Sequence, residues 1–195
     1  MHANTHMSTN TNNSSELTSK VVEHLNEMLS AENAAIDRIE SRIDQTPMES
    51  AKQRLKQHLE ETRGHQDRLR QLIGRLGGQP TDSKADLPIL KPPSTSMIKK
   101  TVKDTVKSMT GGSDNPLPEE MELMRTKQDL IIENAEIVAY DMLIQICQRS
   151  SLDDAIPTLK QNLSEEESMA NWIKTNTPTM LDQLWPKIVT AVSSR

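Results

Sequence analysis

Two apolar helical stripes, each interrupted by a carboxylate at a core position, constrain this chain most. The first runs Val21, Leu25, Met28, Glu32, Ala35, Ile39, and the second Leu130, Glu133, Ile137, Tyr140, Ile144, Cys147. Both advance in alternating steps of three and four, the period of an α-helix with one buried face. The two carboxylates also sit in matching pentapeptides, Glu32-Asn-Ala-Ala-Ile36 and Glu133-Asn-Ala-Glu-Ile137. A charge in a core costs several kcal/mol unless it is paired, protonated or bound to a metal. Two such charges on repeated helices point to a shared site inside a helical bundle.

The rest of the chain supplies the partners for those helices. Helix 1 is expected from about Glu16 to Asp44, stopping before Pro47. Helix 2 is expected from Glu49 to Leu76, ended by Gly77-Gly78-Gln79-Pro80, with Leu55, Leu59, Thr62, Leu69, Ile73 and Leu76 inward. Helix 3 starts after Pro118 and reaches about Arg149. Helix 4 runs from about Leu152 to Thr175, and Pro178 opens a short terminal helix, 178–195, bearing Met180, Leu181, Leu184 and Trp185. Tight connections make helices 1 and 2, and helices 3 and 4, antiparallel hairpins. The crossover segment 77–118 can span a bundle. It carries a Pro-rich stretch (Leu90-Lys-Pro92-Pro93) and an amphipathic helix from Ser96 to Met109. The expected fold is therefore all-α: an antiparallel four-helix bundle of two hairpins joined by a long crossover, with residues 16–195 forming one domain. Residues 1–15, polar and rich in Asn, Thr and Ser, read as a disordered tail without the apolar segment of a signal peptide.

The hairpins repeat. Helix 1 aligns with helix 3 through Glu32 and Glu133, and helix 2 with helix 4 through Leu59-Glu-Glu-Thr62 and Leu163-Ser-Glu-Glu166. Carboxylate-bridged di-metal bundles take one Glu from each of two helices and Glu-x-x-His from each of the other two. The i, i+3 spacing puts both ligands of such a pair on one helix face. Here the corresponding frames are Thr62-Arg-Gly-His65 and Glu166-Glu-Ser-Met169, so each half keeps one ligand of two. Glu32, His65, Glu133 and Glu166 supply four of six, and Glu61, four residues before His65, could replace the missing carboxylate. Met169 is a poor ligand for a hard iron centre, and nothing equivalent restores the second histidine.

These motifs resemble the YciE/YciF-type stress-induced branch of the ferritin-like superfamily. The carrying segments are Leu29-Ser-Ala-Glu32, His58-Leu-Glu-Glu61-Thr62 with His65, Glu133-Asn-Ala-Glu136-Ile-Val-Ala-Tyr140, and Leu163-Ser-Glu165-Glu166 followed by Met169-Ala-Asn-Trp172. The resemblance covers roughly Glu16 to Thr175 without the crossover. It implies a ferritin-like fold, a di-metal centre with iron as the first metal and manganese or zinc as alternatives, and a cytoplasmic stress role. By position it makes Glu32, Glu61, His65, Glu136 and Glu166 the metal ligands. The stripe favours Glu133 where the Glu-Ile-x-x-Tyr pattern favours Glu136.

Each assignment has a plainer counterpart. The core carboxylates can pair with Arg38, Arg54, Arg63 or Arg68 in a buried ionic network without metal. His58 reads as structural, Tyr140 as a core hydroxyl or a donor to a ligand, and Cys147 as a small buried hydrophobe. Helix 96–109, with Lys99, Lys100, Lys103 and Lys107, reads as a bundle cap with solvated lysines or a weak membrane or acidic-partner surface. The net charge of −5 argues against a nucleic-acid binder. The lone cysteine excludes an internal disulfide and favours a reducing compartment, and no run approaches a membrane span. Two functions follow. One is iron or peroxide handling at a carboxylate/histidine site, through Glu-bridged Fe(II) oxidised by oxygen or peroxide. The other is a non-enzymatic bundle with a degenerate site, acting as a homodimer or partner-binding module through its exposed helices and C-terminal segment.

Overall fold

In the computed structural model the described residues are 6–86 and 116–194, with side chains from residue 15 onward. Among them four long helices carry the fold: α1 (His6–Gln45), α2 (Glu49–Arg75), α3 (Pro118–Arg149) and α4 (Ile156–Ser193). There is no strand among the described residues, so the fold is all-α as the periodicity requires. The Pro-rich stretch 90–93 and the expected crossover helix 96–109 lie outside the described residues.

Two boundaries differ from expectation. The segment expected to be a disordered tail is described only from His6, and from there its backbone is already helical. At the other end, α4 does not stop at Pro178 but continues through it and through Pro186. A proline removes one helical N–H and crowds the preceding turn. Two nearby side chains reinforce that turn: Asn176 Nδ2 donates to Trp172 O at 2.9 Å and Thr177 Oγ1 to Ile173 O at 2.7 Å. Beyond Pro178, Met180, Leu184 and Ile188 are buried at steps of four, and a helix break would take them off that line.

The chain divides into two compact units, one running to Ala85 and resuming over Glu136–Glu166, the other Asp86–Ala135 with Glu167 onward. In the first unit all four helices contribute to one core. Val21, Leu25 and Leu29 come from α1, Leu69, Leu72 and Ile73 from α2, Tyr140, Leu143, Ile144 and Cys147 from α3, and Leu159 from α4. In the second, Ile132 on α3 and Met169, Ile173, Met180 and Leu184 on α4 are buried, and Thr126 Oγ1 contacts Met180 Sδ at 4.0 Å.

The turns set the hairpins. Between α1 and α2, Met48 N–H donates to Thr46 Oγ1 at 3.3 Å. After α2, Gly77 takes φ +79°, the left-handed conformation that ends helices. Gly77 and Gly78 N–H then donate to Gly74 O and Ile73 O at 3.0 and 2.9 Å. The chain next runs extended along α1, held by two asparagines seven residues apart. Asn26 Nδ2 donates to Gln79 O (3.0 Å) while its Oδ1 accepts Thr81 N–H (2.8 Å). Asn33 Nδ2 reaches Thr81 O and Ser83 O at 3.2 and 2.9 Å.

Candidate metal centre

The interior of the first unit carries a polar cluster at the level of Glu32. α1 brings Glu32 inward between Met28 and Ala35, α2 brings His58, Thr62 and His65 at steps of four and three, and α4 brings Glu166. All five are at most 1% exposed. His65 Nδ1 lies 2.9 Å from Glu166 Oε1 and 3.3 Å from Glu32 Oε1. One donor atom from each of Glu32, His65 and Glu166 can be chosen so that all three lie within 4.8 Å of one another. That is the compactness a single ion requires.

Several contacts hold these donors in place. Tyr140 OH donates to Glu32 Oε1 and accepts from Asn162 Nδ2 at 2.9 Å. Asn162 Oδ1 accepts from Arg68 Nε, and Arg68 Nη2 donates to Glu165 Oε2. Glu165 Oε2 in turn accepts from His65 Nε2 at 2.8 Å, closing a ring of contacts through α1, α2, α3 and α4. Gly64 leaves room for this, since a Cβ there would sit 3.2 Å from the Arg68 guanidinium. With Nε2 held by Glu165, His65 presents Nδ1 to the two buried carboxylates.

His58 has the mirror arrangement. Its Nδ1 faces Glu61 Oε2 at 3.2 Å, leaving Nε2 3.6 Å from Glu166 Oε2. Glu61 is itself held by Arg54 at 2.9 Å and Gln57 at 2.7 Å. Two relays of Arg, Glu and His thus converge on Glu166, one from Arg54 and one from Arg68. Histidines that bind metals characteristically donate their other N–H to such a carboxylate.

The electrostatics follow from this crowding. Burial works against a charged His65 ring, but the adjacent Glu166 and Glu32 outweigh it and push its pKa up to about 10. Burial would raise the Glu61 carboxyl, but His58 and Arg54 hold it down to about 2. Burial, the Glu32 charge and the bond to it raise the Tyr140 phenol well above its ordinary value.

The residues singled out from sequence fall as follows. Glu32, His65 and Glu166 meet in one cluster. Glu61 lies next to it, turned toward Arg54 and His58. Glu136 is buried on α3 with Oε2 4.0 Å from Arg38. Glu133 is fully buried on α3 in the second unit, so both α3 carboxylates of the sequence are inside the protein. Sequence reasoning treated His58 as structural and missed its approach to Glu166. The available signal was its place seven residues before His65, two turns along the same inward line.

The donor set fits a divalent transition metal: neutral imidazole nitrogen and carboxylate oxygen suit iron, manganese or zinc. Glu32 Oε2 is buried and has no hydrogen-bond partner, an oxygen that a cation would satisfy.

Comparison with known proteins agrees with this fold. YcfI from Rhodopseudomonas palustris is similar in structure (TM-score 0.64, 23% identity, covering 82% of this chain and 93% of that one). So is a protein from Xanthomonas campestris pv. campestris (0.65, 17%, 88% and 97%). The bacterioferritin of Desulfovibrio desulfuricans, whose own structure is described with a diiron site, matches at 0.64 with 16% identity over 92% of this chain and 90% of that one. At these identities the likeness establishes the fold, which is ferritin-like. No curated protein sequence matches the chain. The family model for the domain of unknown function DUF892 matches residues 16–184, and the chain belongs to that family.

Proposed function

We propose that this protein binds a divalent metal, iron in the first place, at Glu32, His65 and Glu166, and that it handles iron or peroxide there. The observation that carries the reading is the unpartnered Glu32 Oε2 within a compact, fully buried set of nitrogen and oxygen donors. A buried carboxylate oxygen without a partner is costly, and a cation removes that cost. Glu32 and Glu166 supply oxygens and His65 supplies Nδ1. His58 Nε2 is the candidate for a second imidazole, standing in for the histidine that Met169 replaces.

Bound iron would supply one-electron redox chemistry, and the chain's own groups define its surroundings. Glu165 and Glu61 fix the ring orientation of His65 and His58. Tyr140 fixes the Glu32 carboxylate by donating to Oε1, the oxygen that lies 3.3 Å from His65 Nδ1. Leu25, Leu29 and Leu69 pack along the same inward faces and exclude water.

The test is anaerobic titration of metal-free protein with Fe(II) and, as a spectroscopic probe, Co(II). Wild type is expected to bind with micromolar or tighter affinity and to give cobalt d–d bands of a nitrogen/oxygen site. Glu32→Ala should weaken this at least tenfold while circular dichroism stays helical. Absence of binding to folded wild type at millimolar metal would sink the proposal and leave the cluster as a buried ionic network.

A further inference from the structure

A groove of about 270 Å³ opens on the surface of the first unit, walled by α1, α2 and the extended segment 79–85. That volume is close to the lower end of the sizes that take small molecules. No candidate metal donor lines it. α2 contributes Arg63, Gln66 and Arg70, whose steps of three and four put them on one helix face. α1 contributes Asn33, Ile36 and Asp37, and the extended segment adds Asp82 and Lys84.

The walls are fixed by contacts of their own. Asn33, only 6% exposed, joins all three. Its Oδ1 accepts from Gln66 Nε2 at 2.9 Å and from Arg70 Nη2 at 3.3 Å, while its Nδ2 holds the carbonyls of Thr81 and Ser83. Ala85 N–H donates to Ser30 O at 2.8 Å, so the segment is tied to α1 at its far end as well. A groove shaped before its ligand arrives avoids part of the ordering cost of binding.

The charges in the groove divide into those already engaged and those left over. Arg63 pairs with Glu40 and Glu60, and Lys84 pairs with Asp37. Arg70 carries five donors, yet it has only Asn33 Oδ1 at 3.3 Å and Asp67 Oδ1 at 3.7 Å. Asp82 is exposed, and among the described residues no hydrogen bond or ion pair engages its carboxylate. A cation on α2 and an anion on the extended segment thus line one cavity without pairing. A simple anion would gain from Arg70 and be repelled by Asp82, and a simple cation the reverse. A molecule bearing both charges gains from each. We propose that the groove binds a small zwitterion of the amino-acid class. Its carboxylate takes the Arg70 guanidinium, which suits a planar two-oxygen acceptor. Its ammonium takes Asp82, and the methylenes between them lie against Ile36, the apolar side chain of the lining.

Calorimetric titration of the full, metal-free chain with unbranched amino acids, from glycine to ε-aminocaproate, is the test, because the series steps the separation of the two charges. The best of them should bind with a dissociation constant of about 1 mM or tighter. The carboxylate and the amine of the same chain length should each bind about tenfold or more weakly. Arg70→Gln and Asp82→Asn should each weaken the amino acid about tenfold or more, with the helical circular dichroism and the melting temperature unchanged. No binding of any member of the series at about 20 mM overturns the proposal. So does a carboxylate that binds as tightly as the matching amino acid, or binding that Asp82→Asn leaves unchanged, since the groove is then a plain anion site. An amine that binds as tightly as the amino acid, with Arg70→Gln silent, overturns it in the same way.

Discussion

Tyr140→Phe isolates one buried hydrogen-bonding group at the candidate site. The phenol donates to Glu32 Oε1 and accepts from Asn162 Nδ2, and both partners are fully buried. Phenylalanine keeps the ring, its burial and its edge-on approach to His65, where the centroids are 6.1 Å apart. The packing contribution therefore stays close to zero and the polar contribution stands alone. A hydrogen bond to a charged acceptor contributes roughly 1.5–3 kcal/mol and one between neutral groups roughly 1 kcal/mol. Neither Glu32 nor Asn162 can turn to water, so the expected loss in metal-free protein is about 3–4 kcal/mol. For a chain of this length that corresponds to a fall in Tm on the order of 10 °C. Urea unfolding followed by circular dichroism, with unchanged m-value, measures it. In a Glu32→Gln background the same substitution should cost roughly half as much, because the acceptor no longer carries charge. A loss below about 0.5 kcal/mol in the single variant would refute the donation to Glu32.

Stability should depend on pH through two groups shifted in opposite directions. The folded pKa of His65, about 10, lies above its ordinary 6.5, so its contribution is complete below about 6.5 and declines as pH rises through 10. Glu61, near 2 when folded against an ordinary 4.5, contributes fully above about 4.5 and loses that contribution as pH falls toward 2. Urea midpoints of metal-free protein across pH should flatten on the alkaline side in His65→Gln and on the acid side in Glu61→Gln; unchanged slopes would contradict the assigned pairings. Gly78→Ala should cost about 1–3 kcal/mol by overpacking, since the added Cβ would lie 2.5 Å from Val22 Cγ1 and 3.0 Å from Ile73 Cγ2. Val22→Ala in the same chain should return much of that loss in a thermal melt.

Much of the fold was legible because helix period and helix punctuation are local. The stripes through Glu32 and Glu133, Pro47 between α1 and α2, and the glycine pair after α2 act within a few residues of themselves. Pro178 shows where local reading fails. The penalty of a proline is local, but the burial of Met180, Leu184 and Ile188 that continues the helix comes from packing.

The sequence by itself determined the all-α class, the long helices and the inward register of Glu32, His65 and Glu166, since a helical period fixes which residues share a face. The tertiary structure alone decided which partner each polar side chain takes. Glu61 lies within reach of the site by spacing, yet Arg54 and His58 hold it, and His58 thereby presents Nε2 to Glu166. Tyr140 reaches Glu32 across 108 positions of sequence. Such choices depend on which helices stand side by side and how far a carboxylate or imidazole can turn between them.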